Sequence, residues 1–296
     1  MGRCSNASYS EIYVGDFVIM SLIAWLALLG PVVLVAAAVS FKTAPAIRAI
    51  NDRAVLAATF ALAVALATMV AVIISGPMIS MTLGFAGIGF GLYIDMLSAI
   101  MFLLVSFVGL VVMRYSRTYL DGDPRQSVFM TWLLLTLAAI LTVIISGNLA
   151  QFILAWVATS VGLNKLLLFY GERQAAQLAA KKKFIASRIG DVCLIGAAIL
   201  LLSVFGTLEF SSLFAQAKLA AASGQQSSLV GVVAVLIVVA ALLKSAQLPM
   251  HGWLIEVMET PTPVSALLHA GIINAGGFLV LRMADMLVLS GMALDI

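Results

Sequence analysis

Residues 229–277 read LVGVVAVLIVVAALLKSAQLPMHGWLIEVMETPTPVSALLHAGIINAGG. Fifteen apolar residues run without a charge up to Lys244, and the chain after it stays largely apolar. A lysine that merely reached for the interface would be followed by a polar loop. Instead Pro249 and Gly252 interrupt an over-long hydrophobic segment, 228–258. Proline removes an internal hydrogen bond and clashes with the preceding turn, so this segment reads as a broken helix. Such a break is tolerated in a bilayer only where protein or a water-filled cavity surrounds it. Next, Thr260 and Pro261 mark the start of another helix, with His269 about two turns inside it.

Outward from that stretch the whole chain has the same character. Its 296 residues are 63% hydrophobic and 10% charged. Soluble domains run about 45–50% apolar and about 25% charged, and disordered chains are more polar still. A soluble globule and a disordered chain are therefore both excluded. A helix needs about 20 apolar residues to cross the hydrocarbon core. Eight segments meet that length approximately: 16–40, 53–75, 92–114, 128–147, 149–170, 183–205, 228–258 and 262–289. The expected fold is an all-α polytopic membrane bundle of eight helices with the seventh broken. Segment 76–91 is Gly-rich with partial alternation and reads as a loop or short hairpin, and 206–227 as an amphipathic stretch and loop.

Charge gives an orientation. The connections after the first, third and fifth spans carry Lys42, Arg48, Arg53, Arg114, Arg117, Arg125, Arg173, Lys181, Lys182, Lys183 and Arg188. The other side carries only Arg3, Lys218 and Arg282. The basic side is expected to be cytoplasmic, which places both termini outside. The balance of 16 Lys+Arg against 13 Asp+Glu, without a concentrated basic domain, argues against a nucleic-acid partner. The start, MGRCSNASYSEIYVGD, reads as neither a signal peptide nor a myristoylation site. Cys4, Cys193, His251 and His269 have no metal-ligand spacing, so neither a metal nor a cofactor is expected on this chain.

Ionisable residues within spans are expensive and mark candidate sites. Lys244 at the break leads, since freed carbonyls can stabilise it and reversible deprotonation is accessible there. His269 can take and release a proton near neutral pH, or serve as a core histidine bonded to a carbonyl. Arg188 and Asp191 stand three apart on one helix face, as a modulator of the lysine or as a static pair. Glu256 and Glu259, three apart, could receive protons at a cytoplasmic entrance; Glu256 reads equally as a solvated interface residue, and Glu259 is the stronger candidate because it abuts a helix N-terminus that favours an anion. His251 lines a cavity at the break or is hydrogen-bonded structurally. Asp95 reads as an end-cap, Lys165 as a snorkelling lysine, and Arg282 and Asp285 as a pair.

The stretch KSAQLPMHGWLIEVMETPTPVSALLHAGIINAGG, 244–277, resembles the proton-translocating antiporter-like subunits. These include subunit L of respiratory complex I and the large Mrp sodium/proton antiporter subunit. KFIASRIGDVCL, 183–194, resembles their sixth helix, and weaker similarity runs from the third span to the eighth. MHGWLIEVME, GIINAGGF and the connection LFYGERQAAQLAAKKKF resemble the DabB branch, membrane subunits of energy-coupled inorganic-carbon uptake complexes. The resemblance implies that Lys244 is the channel lysine, His269 the relay histidine, and Arg188–Asp191 the sixth-helix pair. It also implies a DabA-like partner, related to β-type carbonic anhydrases and carrying zinc, in a bacterial inner membrane. On this reading the chain is a transporter subunit and not itself an enzyme.

Two departures accompany the resemblance. The family places a glutamate after the tryptophan of the fifth helix, and here Val157 stands there. The family also has two inverted five-helix repeats after three leading helices. This chain reads as a three-helix segment, 1–127, and one repeat, 128–296, lacking the second repeat. Either the chain is a truncated version, or a further chain supplies the second half-channel. A proton- or sodium-translocating subunit of a complex I or Mrp assembly, and a non-conducting scaffold for a soluble enzyme, stand as alternatives.

Overall fold

The computed structural model describes residues 21–41, 46–85, 87–223, 228–247, 251–256 and 260–290. Among the described residues seven helices are long and apolar enough to cross a membrane: Ser21–Ser40 (α1), Ile47–Ser75 (α2), Met96–Tyr119 (α3), Gln126–Ile145 (α4), Leu149–Tyr170 (α5, its last three residues a 3-10 turn), Ala176–Phe205 and Thr262–Arg282 (α10). Counted from its first helical residue, the sixth runs Gln174–Phe205 (α6). The shorter apolar helix Ser228–Lys244 (α8) and the five-residue helix Gly252–Glu256 (α9) form the broken seventh span. Between α6 and α8 lies Phe210–Ser223 (α7), and after α10 comes Ala284–Ser290 (α11). The all-α membrane bundle with a discontinuous seventh span is thus the observed architecture.

Local chemistry sets several boundaries. Pro31 cannot donate to Ala27, and there α1 tightens, with Ala27, Leu28 and Gly30 donating three residues back. Asp95 caps α3 by accepting from Ser98 N at 2.8 Å, as its position in the sequence suggests. Asn148 caps α5 through Ala150 N at 2.9 Å. On α2, Ala54, Ala57, Ala58, Ala61 and Ala65 are buried, a small-residue stripe that brings α1 and α3 close.

The Gly-rich segment between α2 and α3 forms two antiparallel pairs. Met78–Ile79 (β1) pairs with Tyr93–Ile94 (β4), and Leu83–Phe85 (β2) with Ile88–Phe90 (β3). This hairpin is stitched to two other connections at the same end of the bundle. Gly147 N donates to Gly91 O at 2.8 Å, Leu149 N to Leu208 O at 2.8 Å, Leu208 N to Gly87 O at 2.9 Å and Phe210 N to Gly147 O at 3.0 Å. Gly87 has φ 75°, and a Cβ there would stand 2.7 Å from the Thr207 backbone, so only glycine fits.

At that end Arg282 is buried, with its side chain 1% exposed. It does not pair with Asp285, as its sequence spacing suggested. Its Nη1 meets Asp95 Oδ2 at 2.9 Å, it donates to Ser98 Oγ, and its guanidinium lies 4.9 Å from the Tyr93 ring centre and 5.0 Å from that of Phe278. The helix is interrupted at Met283, and Asp285 faces Lys218 on α7 at 3.5 Å instead. Burial and the Asp95 carboxylate push the Tyr93 phenol up from its ordinary pKa. One continuous hydrophobic core runs through the three leading helices and the five that follow.

Candidate functional site

The seventh span breaks earlier than the proline suggested. After Lys244 the backbone turns left-handed at Ala246, φ 52°. Gln247 N donates back to Leu242 O at 3.1 Å and Ser245 N to Ala241 O at 2.9 Å. The six-to-one bond is the Schellman closure that ends a helix, here with alanine where glycine is usual. Pro249 lies outside the described residues, as do Glu259, the side chain of Glu256 and Cys4. Gly276 on α10 lets the two helices touch: a Cβ there would fall 2.1 Å from Ser245 Oγ and 2.4 Å from Ala241 O. Ser245 Oγ donates to Ile273 O at 2.9 Å, tying the break to α10.

That termination leaves Lys244 as the last residue of α8, with its side chain turned into the bundle and 5% of the residue exposed. Its Nζ donates to Trp156 O at 3.1 Å, Thr159 Oγ1 at 2.8 Å and Ser160 Oγ at 3.0 Å. All three acceptors belong to one turn of α5, so the ammonium's three donors are fully used. The ring of Trp156 lies 4.3 Å below the nitrogen, a cation–π contact that adds to the cradle. Among the described residues no carboxylate pairs with it. The acceptors are side-chain hydroxyls and a carbonyl of α5, not the freed carbonyls of the break.

A second lysine converges on the same turn. Lys183 on α6 is 3% exposed, and its Nζ donates to Ser160 O at 2.9 Å. With Ser187 and Asp191 it forms an i, i+4, i+8 row, all three buried on one helix face. Asp191 carries the single carboxylate of that row, and Arg188 Nη2 lies 2.6 Å from its Oδ2. Neither oxygen finds a well-aligned hydrogen bond among the described residues. Arg188 is the more open partner, lying over the Phe184 ring at 5.3 Å.

Lys183 was counted with the basic loop in the sequence because Lys181 and Lys182 precede it. The helix begins nine residues earlier, at Gln174, and carries Lys183 inward while Lys181 and Lys182 stay exposed. The four-residue spacing to Ser187 and Asp191 was the signal that could have separated it from its neighbours.

The remaining candidates lie around this cluster rather than in it. His251 stands at the start of α9, which packs against α6, and its Nδ1 is buried without a protein partner among the described residues. Trp253 Nε1 is in the same condition. His269 sits in a π-helical turn, Leu268–Ile272, closed by Ile273 N donating to Leu268 O at 3.0 Å. Its side chain is exposed and is not among the partners of Lys244. Val157 is half-buried and lines an apolar groove of about 850 Å³ with Leu135, Leu154, Ala158 and Val161. Lys165 is exposed, 5.9 Å from the centre of the Trp132 ring.

Residues 146–295 match the family model described as NADH:quinone oxidoreductase/Mrp antiporter, TM, which is half of the chain and contains both lysines. The chain belongs to this antiporter-like membrane family. Residues 81–130 match a second model, NADH-Ubiquinone oxidoreductase (complex I), chain 5 N-terminus. Among curated relatives, a probable inorganic carbon transporter subunit DabB of Hydrogenovibrio crunogenus is 45% identical, covering 68% of this chain and 38% of that protein. DabB2 of Halothiobacillus neapolitanus, also a probable inorganic carbon transporter subunit, is 46% identical over 73% of this chain and 38% of its own length. NADH-quinone oxidoreductase subunit L of Mycobacterium tuberculosis is 37% identical over 66% of this chain and 30% of its own. The solved Mrp complex of Dietzia sp. DQ12-45-1b contains a chain that superposes with TM-score 0.76 at 25% identity, covering 93% of this chain and 29% of that one. The chain thus spans 30–38% of the length of these curated relatives. The family and the apolar helices together make this a multi-pass membrane protein.

Proposed function

We propose that this chain is the ion-conducting membrane subunit of an energy-coupled inorganic-carbon uptake complex. It carries protons, or another cation, to drive a zinc-bearing, carbonic-anhydrase-like partner of the DabA type. The observation that carries the reading is the Lys244 ammonium, buried at a helix break and held by three uncharged oxygens. A cation without a counter-ion is the buried charge most easily converted to its neutral form, because no ion pair has to be broken. Identity to two inorganic carbon transporter subunits, above that to subunit L, supports carbon uptake over quinone reduction.

In this mechanism a proton enters near the break, where His251 presents a ring nitrogen without a partner among the described residues, and binds Lys244. The Arg188–Asp191 pair biases it: when the pair opens, the carboxylate is free to attract the ammonium. Glu259 would receive protons at the entrance, and His269 serves further along the path, facing outward from α10 toward whatever completes the channel. Hydration of carbon dioxide to bicarbonate takes place on the partner, where the zinc supplies an activated water. This chain, with two cysteines and two histidines far apart in sequence, contributes the membrane dock and the ion path.

The test is Lys244→Ala in the full-length protein with its partner. Carbon-dependent growth rescue is expected to be abolished while the complex still assembles. Rescue at the wild-type level would refute conduction through Lys244 and leave the scaffold role.

A further inference from the structure

Lys183 and Lys244 reach the same residue from two helices. Lys244 uses the hydroxyl of Ser160 and Lys183 its carbonyl. Both are almost wholly buried, and neither has a carboxylate of its own among the described residues. We infer that Lys183 is the positioning partner of Lys244: the two form a lysine pair that holds one proton between them, so that charge arriving on Lys183 expels the proton from Lys244. This deepens the conduction reading above and rests on it.

The charge inventory requires such sharing. Among the described residues, the charged or titratable groups on the elements packed around the pair are Asp191 and Arg188 on α6, His251 on α9, and Arg282 on α10 and Asp285 on α11, which are paired with Asp95 and Lys218, while α5 offers the neutral Thr159, Ser160 and the Trp156 carbonyl. Lys165 on α5 is drawn away over Trp132. Asp191 is already met by Arg188. Among the described residues, two further ammonium groups would stand uncompensated in an apolar bundle, which is what proteins avoid by neutralising one of them. Both nitrogens lie about 3 Å from atoms of one serine, so they stand within about 10 Å of each other. At an effective dielectric of about 20, two unit charges at that distance repel by the equivalent of about one pH unit. Lys183 thereby does by repulsion what an opposing carboxylate would do by release. Val157, the residue after Trp156 on α5, lines the apolar groove.

The experiment is the pH profile of inorganic-carbon uptake by membrane vesicles containing the full-length protein and its partner. Lys183→Gln keeps a donor for the Ser160 carbonyl and removes the charge, and should move the profile about one pH unit to the alkaline side. Lys183→Arg fixes the charge, and should move it to the acid side or stop uptake with the complex intact. A purely structural lysine predicts lower rates in both variants at an unmoved profile, and that result overturns the inference. Should Lys183→Gln fail to assemble, lysine ε-¹⁵N resonances of the wild-type protein in bilayers decide the matter. One neutral amine at pH 7, lost in Lys244→Ala and kept in Lys183→Arg, supports the pair, and ammonium signals alone at every pH overturn it. Full activity of Lys244→Ala would sink the conduction reading itself, whereas an inactive Lys244→Ala with an unmoved Lys183→Gln profile sinks only the pair.

Discussion

Replacing Thr159 by valine tests the cradle of Lys244 with little change of volume. The side chain keeps its shape and loses the hydroxyl 2.8 Å from Nζ, one of three acceptors. The same hydroxyl donates to Trp156 O at 2.7 Å, so the variant also frees a carbonyl that Lys244 shares. A hydrogen bond to a charged group contributes about 1.5–3 kcal/mol, and one between neutral groups about 0.5–1.5 kcal/mol. The difference, about 1–1.5 kcal/mol, falls on the ammonium form alone and corresponds to about one pH unit. The pH profile of uptake in vesicles should therefore shift by about one unit to the acid side, opposite in sign to Lys183→Gln. Thr159→Ser, which restores the hydroxyl, should return the wild-type profile. An unmoved Thr159→Val profile, in a background where Lys244→Ala is inactive, would show that the ammonium draws nothing from α5, and the reasoning from the cradle would fail.

Two further outcomes concern stability, read by thermal unfolding in detergent. Asp95→Asn keeps the α3 cap but leaves Arg282 buried without its counter-ion, and should cost about 3–5 kcal/mol. Asp95→Asn combined with Arg282→Met should recover most of that, and a single variant within about 1 kcal/mol of wild type would contradict the burial of the pair. Ala246→Gly relieves a left-handed alanine, whose penalty is about 1–2 kcal/mol, and should stabilise the protein by somewhat less because glycine also loosens the unfolded chain. A lower melting temperature would show that the turn at 245–247 is not held in that conformation.

The spans were legible because a bilayer leaves the chain little choice. A run of about twenty predominantly apolar residues has one cheap conformation there, so α1 to α6 and α10 follow from composition. The caps at Asp95 and Asn148 are equally local, since each acts on an amide two or three residues away. Where the reading went astray, the decisive contact lay far along the chain. Arg282 finds Asp95 across 187 residues rather than Asp285 three away, and no periodicity carries that information. The break was placed at Pro249 because proline announces itself, whereas the left-handed Ala246 leaves no mark in the sequence. Lys244 was legible from its apolar approach, but its oxygen cradle on α5 was not, since Thr159 and Ser160 look like ordinary helix residues. Lys183 was hidden by the run of lysines that precedes it.

The stitched end of the bundle has a mechanical consequence. The connections that begin α5 and end α6 are riveted to the Gly-rich hairpin by backbone bonds of 2.8–3.0 Å. Any tilt of α5 against its neighbours is then a rotation about that rivet, with Ser160 on a lever arm of about 16 Å at 1.5 Å per residue. A swing of about 10° carries that serine roughly 3 Å, the full length of the bonds it offers to the two lysines. The rim that stays still thus sets the gearing for the oxygen atoms that need to move.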